Sequence, residues 1–222
     1  MSENHDVVRV TDVTKNYNLG STEVEVLHGI DLNIKNGEFV SIMGQSGSGK
    51  TTLMNLIGML DHPTSGSIHI NGENITGRSQ KELVELRRNA VGFIFQQFHL
   101  IPSLTAYENV ALPLVFAGEK DNGAVISALE RVGLSHRINH RPSEMSGGEQ
   151  QRVAIARAVV MNPKILLADE PTGALDAITG AKIISLLKSL SDEMTVIMVT
   201  HNSELAAHSD RVIELQDGSI KE

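Results

Sequence analysis

The chain has 222 residues, 41% of them hydrophobic, enough to bury a substantial core as one globular unit, which excludes a disordered protein. Its 19 basic and 27 acidic residues leave a formal charge of −8, which argues against charge-driven binding to nucleic acid; aromatics at 3%, with no tryptophan, supply neither a stacking platform for single strands nor a membrane belt. The absence of cysteine excludes disulfides and thiolate metal sites and fits a reducing compartment.

The first ten residues, MSENHDVVRV, contain acids and no apolar core of signal-peptide length, so no secretory or cleaved targeting segment is expected, and the chain reads as beginning at its native start. Apolar patterning predicts strands at Val7 to Val13, Val24 to Ile34 and Phe39 to Met43, then a helix at Thr51 to Leu60. A strand at Ser67 to Ile70, a helix at Gln80 to Arg88 and a strand at Val91 to Phe95 follow. Pro102, Pro113, Pro142 and the GEKDNG stretch then break the chain into short helices and loops, with clear helical periodicity at Ala124 to Val132 and Glu149 to Met161. Strands at Ile165 to Ala168 and Val196 to Val199 flank a helix at Ala177 to Leu190. The strand Arg211 to Leu215 turns at Gln216-Asp217-Gly218 into a short return strand, Ser219 to Lys221, which reads as a terminal hairpin. No internal repeat or heptad is present, and the longest apolar stretches, LMNLIGML and NVALPLVFAG, fall short of the roughly 20 residues a membrane-spanning helix needs. Any membrane role is therefore expected to come through a partner.

Residues 44–51 read GQSGSGKT between an apolar strand and a helix, the spacing of a phosphate loop. Gly44, Gly47 and Gly49 lack a β-carbon, so the backbone can bring N–H groups close to phosphate oxygens, and the following helix points its positive end at the same anion. Lys50 is a flexible cation able to reach the outer phosphates, the Thr51 hydroxyl is placed to coordinate magnesium, and Thr52 can add a donor. Roughly 120 residues later KILLADE, 164–170, puts Asp169 and Glu170 at the end of an apolar strand. There the first carboxylate can hold magnesium through water and the second can face the γ-phosphate as general base or water-positioning residue. A glycine-rich turn and a solvated strand end are the plain alternatives for either string alone; together the two predict a nucleotide hydrolase. Their separation exceeds one βαβ unit, so an inserted helical lobe is expected over about 97–161.

Within that lobe, Ser146-Gly147-Gly148 opens an uninterrupted helical run. It reads either as a capped helix or as a second anion-ready N-terminus, one that would approach the γ-phosphate from the far side on another copy of the protein.

MSGGEQQ followed by DEPTGALD, with a phosphate loop upstream, resembles the ATP-binding-cassette ATPases over nearly the entire chain. The resemblance implies an α/β fold in a single domain, 1–222: a P-loop NTPase core with an antiparallel β subdomain and an inserted helical subdomain. It implies ATP and Mg2+ as ligands and a head-to-tail homodimer with two ATPs sandwiched between phosphate loop and partner signature. By that resemblance Gly44, Ser46, Gly47, Ser48, Gly49, Lys50, Thr51 and Thr52 hold the phosphates. Thr51, Gln96 and Asp169 hold the metal, and Ser146, Gly147 and Gly148 contact ATP on the opposite protomer. Gln96 resembles the lid glutamine that touches magnesium and attacking water. His201, ending MVTH, resembles the histidine that senses the γ-phosphate, and Tyr17, in VTKNY, matches the aromatic that stacks on adenine. Ala174-Leu175-Asp176 resembles the loop coupling the two ATP sites, and Asp176 equally suits the N-cap of the helix from Ala177. The commonest signature has leucine and glutamine where this chain has Met145 and Glu149; a carboxylate at 149 is not expected to touch ATP.

The ending at Glu222, FQQFHLIPSLTAYENVALPL and DEPTGALD resemble the lipoprotein-release and macrolide-export branch, with the cell-division relative as runner-up. That branch lacks a C-terminal regulatory domain and drives four-helix permeases carrying a large extracytoplasmic domain. The implied location is the cytoplasmic face of the inner membrane, peripheral, through the permease. The apolar segment Leu100 to Phe116, within 97–116, reads as the docking surface or as a helix packed on its own lobe. A soluble ATPase switch is the contrasting reading; no nucleic-acid partner is expected.

Overall fold

The computed structural model describes residues 6–20 and 22–221, so the first five residues of the N-terminal stretch lie outside the described part. β1, Asp6–Leu19, and β2, Thr22–Lys35, pair antiparallel as a long ribbon. β1 continues past the expected end at Val13 because register shifts around Asp12, which sits at φ 47, bend the strand without ending its pairing. β3, Phe39–Met43, leads through the glycine-rich loop into α1, Lys50–Ile57. β4, Ser65–Ile70, and β5, Glu73–Asn74, then complete a four-stranded antiparallel sheet in the order β2-β1-β4-β5.

α2, Gln80–Ala90, precedes β6, Val91–Ile94, and three helices follow before the next strand: α3, Ala106–Ala117, α4, Ala124–Arg131, and α5, Gly147–Val159. The chain closes with β7, Ile165–Asp169, α6, Ala177–Leu190, β8, Thr195–Val199, α7, Ser203–Ala206, β9, Arg211–Gln216, and β10, Ser219–Lys221. The second sheet runs β10-β9-β3-β8-β7-β6, parallel throughout except for the terminal hairpin, which forms as expected. Among the described residues no helix is long and apolar enough to cross a membrane.

The pleat of this sheet divides the core. Val40, Ile42, Ile165, Leu167, Ile197 and Val199 face α1 and the antiparallel sheet, while Phe39, Leu166, Ala168, Val196 and Met198 face α3, α5 and α6. β7 and β8 read as unbroken apolar runs because both their faces are covered. Because β3, β8 and β7 run parallel, their C-terminal ends, which carry the polar residues, emerge together at one end of the sheet.

α3 departs from the sequence reading, in which Pro113 was a breaker. Pro113 lies inside the helix, at a cost of about 3 kcal/mol for a missing donor and crowding. The helix holds because Thr105 and Glu108 form a reciprocal capping box, Gly118 closes it at φ 68, and Ala106, Asn109, Val110 and Leu114 are buried. Asn109 also ties the preceding loop, accepting from the Ile101 N–H at 2.8 Å.

α5 presses on β6 so closely that a β-carbon at Gly92 would sit 2.3 Å from the Ala158 carbonyl oxygen. Gly92→Ala must push helix and strand apart and should cost about 1–3 kcal/mol, read as a lowered urea midpoint at unchanged m-value.

Candidate active site

The loop after β3 wraps the Lys50 ammonium, which donates to the carbonyls of Gly44 at 2.8 Å and Gln45 at 2.6 Å. Its third contact, to Ser48 Oγ at 3.5 Å, is long enough for an anionic phosphate oxygen to displace. The loop is backed by the terminal hairpin: the Gly218 N–H donates to the Ser48 carbonyl at 3.1 Å, and a β-carbon at Gly44 would stand 2.1 Å from the Leu215 carbonyl oxygen. Gly49 caps α1 at φ 100 and offers no side-chain acceptor, which leaves the first helical N–H groups without a capping side chain. Ser48 is placed differently from the rest; its side chain is buried beneath the loop and its N–H donates to the Gln45 carbonyl at 3.2 Å.

A cavity of about 530 Å³ opens over this loop, lined by Gly44, Ser46, Gly47, Gly49, Lys50, Thr51 and Thr52 and, from the ends of β7 and β8, by Asp169, Glu170 and His201. Two motifs about 120 residues apart thus face one space because β3, β8 and β7 are adjacent and parallel. Val26 of β2 joins them, a contribution that nothing in its local sequence signals.

Burial pushes the Asp169 carboxyl above its usual range, the neighbouring Glu170 charge adds to this, and Lys50 opposes it. Glu170 sits at φ 46, a left-handed conformation uncommon for a residue with a side chain. Its N–H donates to the Val199 carbonyl at 2.9 Å and its own carbonyl accepts from the Gly173 N–H at 3.0 Å, which holds the turn. Glu170 Oε1 lies 2.8 Å from His201 Nδ1. A carboxylate only accepts, so Nδ1 carries the hydrogen. Glu170 is largely covered and His201 mostly exposed, at 18% and 76%.

Gln96, just past β6, is exposed and does not line the cavity; its amide lies over Gly173, where a β-carbon would come within 2.8 Å of Nε2. Tyr17, on β1, is also outside the lining, but Thr52 lies beside its hydroxyl. Asp176 caps α6, accepting from the Thr179 N–H at 3.0 Å.

Ser146 caps α5, accepting from the Glu149 N–H at 3.3 Å, while its own N–H and hydroxyl donate to Glu149 Oε2 at 2.9 Å each. The capped-helix reading therefore holds. Glu149 Oε1 accepts from Arg137 Nε at 2.9 Å, so the departure at 149 serves the cap, and these bonds draw the carboxyl below its usual range. Gly148 lets α5 approach α6, since a β-carbon there would meet Thr179 Cγ2 at 2.5 Å. Ser146 and Gly148 line a separate cavity of about 320 Å³ that shares no residue with the first.

A family model described as "ABC transporter" matches residues 27–173. The ABC transporter ATP-binding protein MJ0796 of Methanocaldococcus jannaschii is 49% identical over 97% of this chain and 95% of its own length. The chain belongs to the ABC transporter family. The cassette also matches a macrolide export ATP-binding/permease protein of Brucella melitensis, 48% identical over 96% of this chain but only 34% of that protein. A dimeric, post-hydrolysis structure of the MJ0796 cassette bound to ADP and phosphate superposes with a TM-score of 0.87, at 47% identity and 97% coverage of both chains.

ATP binding and hydrolysis are accordingly the chemistry of this cassette, and the cavity over the loop suits them. The side chains facing the cavity that could serve Mg2+ are hard oxygens, the Thr51 hydroxyl and the Asp169 carboxylate, while the Gln96 amide lies outside its lining. No group of three or more His, Cys, Asp or Glu side chains that could hold a metal occurs among the described residues. That set fits a cation bound jointly with nucleotide phosphates rather than one held in an all-protein cage.

Three further side chains brace the cassette's site. Gln151, fully buried in α5, donates to the Pro171 carbonyl at 2.5 Å, next to Glu170. Arg157 of α5 donates to the carbonyls of His99 at 2.6 Å and Phe98 at 2.9 Å, anchoring the loop that follows Gln96. A polar residue on the buried side of an otherwise apolar helix is the one signal that could have marked Gln151. Asp61, after α1, accepts from Tyr17 and Lys15, and no motif contains it.

Proposed function

We propose that the cassette is the ATP-driven subunit of an export or mechanotransmission transporter, working as a head-to-tail homodimer with an integral-membrane permease. The observation that carries the transporter reading is the macrolide export relative, in which a segment matching nearly all of this chain forms a third of an ATP-binding/permease protein. The dimer reading rests on the split between the two cavities, together with the dimeric MJ0796 structure. Ser146 to Gly148 then reach ATP only on the partner, within a signature lobe of about 97–161, and Asp176 lies on the connection between the two sites.

In this scheme the loop from Gly44 to Thr52 and the N-terminus of α1 bind the phosphates, and Lys50 supplies their counter-charge. Thr51, Asp169 and Gln96 hold Mg2+, which when bound neutralises charge on the phosphate oxygens. Glu170 takes the proton of the attacking water, with its carboxylate aimed by the turn at φ 46 and by His201. His201 senses the γ-phosphate, and Tyr17 carries the adenine. The apolar side chains Ile101, Val115 and Phe116, exposed at 41%, 67% and 78%, supply a docking surface for the permease. The cassette then sits peripherally on the cytoplasmic face of the inner membrane.

Affinity purification of the full chain from a detergent extract should recover a polytopic membrane protein that alters its ATP turnover. Recovery without one, accompanied by ATP-dependent binding of nucleic acid, would overturn the transporter reading in favour of a soluble switch.

A further inference from the structure

Lys15 is a lysine buried to 8% exposure on β1, whose other buried residues are Val7, Val8, Val10 and Val13. Burying an ammonium is costly unless its donors are met, and here they are. Nζ donates to Asp61 Oδ1 and to the His62 carbonyl, each at 2.8 Å, and stands 4.7 Å from the centroid of the Tyr17 ring. Asp61 in turn accepts from the Tyr17 hydroxyl at 2.8 Å and from the His62 N–H at 2.7 Å. Tyr17 is thereby held at two points, its hydroxyl by a carboxylate and one ring face by a cation. Asp61 lies just beyond the C-terminal end of α1, so the cluster fastens the first strand of the antiparallel sheet to the helix that begins at the phosphate loop.

We propose that Lys15 and Asp61 are positioning residues of the nucleotide site: they fix the plane of Tyr17 relative to the phosphate loop and, with Lys15 covering one ring face, confine the purine to the other. The inference rests on the reading of Tyr17 as the adenine platform. A ring free to rotate about its side-chain bonds would pay entropy on each binding event; a ring pinned by charge-assisted bonds does not. Stacking on a π face makes little distinction between purines, so the cluster serves affinity for any purine triphosphate and leaves the chemistry at Glu170 alone.

The test uses the full chain with Lys15→Met, Asp61→Asn, Tyr17→Phe and Tyr17→Ala, measuring kcat and KM for ATP and for GTP and the inhibition constant of inorganic tripolyphosphate, which has no base to stack. Lys15→Met and Asp61→Asn should raise KM for both nucleotides about 5- to 10-fold with kcat within about twofold, and Tyr17→Phe, which keeps the ring but frees it from Asp61, about threefold. The tripolyphosphate constant should stay unchanged, and Lys15→Met should add nothing further in a Tyr17→Ala background. If Tyr17→Ala raises KM while Lys15→Met, Asp61→Asn and Tyr17→Phe do not, the positioning inference is wrong and the platform reading survives. If Tyr17→Ala itself leaves KM unchanged, both fail. A tripolyphosphate constant that rises in parallel with KM would show that the cluster merely supports the loop, which also overturns the proposal.

Discussion

Glu170→Gln is expected to slow ATP turnover about 100- to 10,000-fold, the span that a positioned general base contributes, while leaving ATP binding nearly intact. The amide keeps the size of the side chain and can still meet His201, but it has no proton affinity to offer the attacking water. The backbone bonds from Glu170 to Val199 and Gly173 do not involve the side chain, so the turn survives the change. Trapped before hydrolysis, the variant should elute as a dimer from size-exclusion chromatography in ATP and as a monomer in ADP. Near-normal phosphate release would remove Glu170 from the reaction, and an ATP-independent monomer would count against the two-site sandwich.

Lys50→Met should weaken ATP binding about 10- to 150-fold, the worth of one or two hydrogen bonds to a charged group, measured by titration calorimetry with Mg2+ present. The methionine fills similar space and leaves the carbonyls of Gly44 and Gln45 without their donor, so the loop itself should slacken. Binding of a nucleoside lacking phosphates should change far less, because Tyr17 and Lys15 lie on β1 of the other sheet. Loss of both in equal measure would mean that the loop had collapsed.

What was legible in the sequence is what is contiguous. GQSGSGKT and KILLADE each carry their chemistry in one unbroken string, and β3, β7 and β8 announce themselves as short apolar runs between turn residues. α3 was hidden by Pro113, since local propensity cannot weigh a proline against a capping box and four buried neighbours. Strand order was not readable either, because pairing β3 between β8 and β9 is a decision made over long sequence distances. The same holds for the supports of the site. Lys15, Asp61, Arg157 and Gln151 each look ordinary alone; only the partner found across the fold, such as the Pro171 carbonyl for Gln151, gives them meaning. Ser146 shows the opposite limit: its capping box was foreseeable from Ser-x-x-Glu, yet that its cavity shares no residue with the one over the phosphate loop was visible only in three dimensions.

The position of β3 has a temporal consequence. Both strands that flank it come from the last part of the chain, and the Phe39 N–H finds its acceptor, Asp210, 171 residues further on. At roughly 5–20 residues per second, a ribosome needs on the order of 10 to 30 seconds to make that stretch. For that interval the nascent chain carries an apolar strand with neither edge paired, the kind of segment that recruits other strands. The phosphate loop is therefore set only once β8 and β9 have been made, and until then the polypeptide carries unpaired apolar strand edges beside the segment that will bind phosphate.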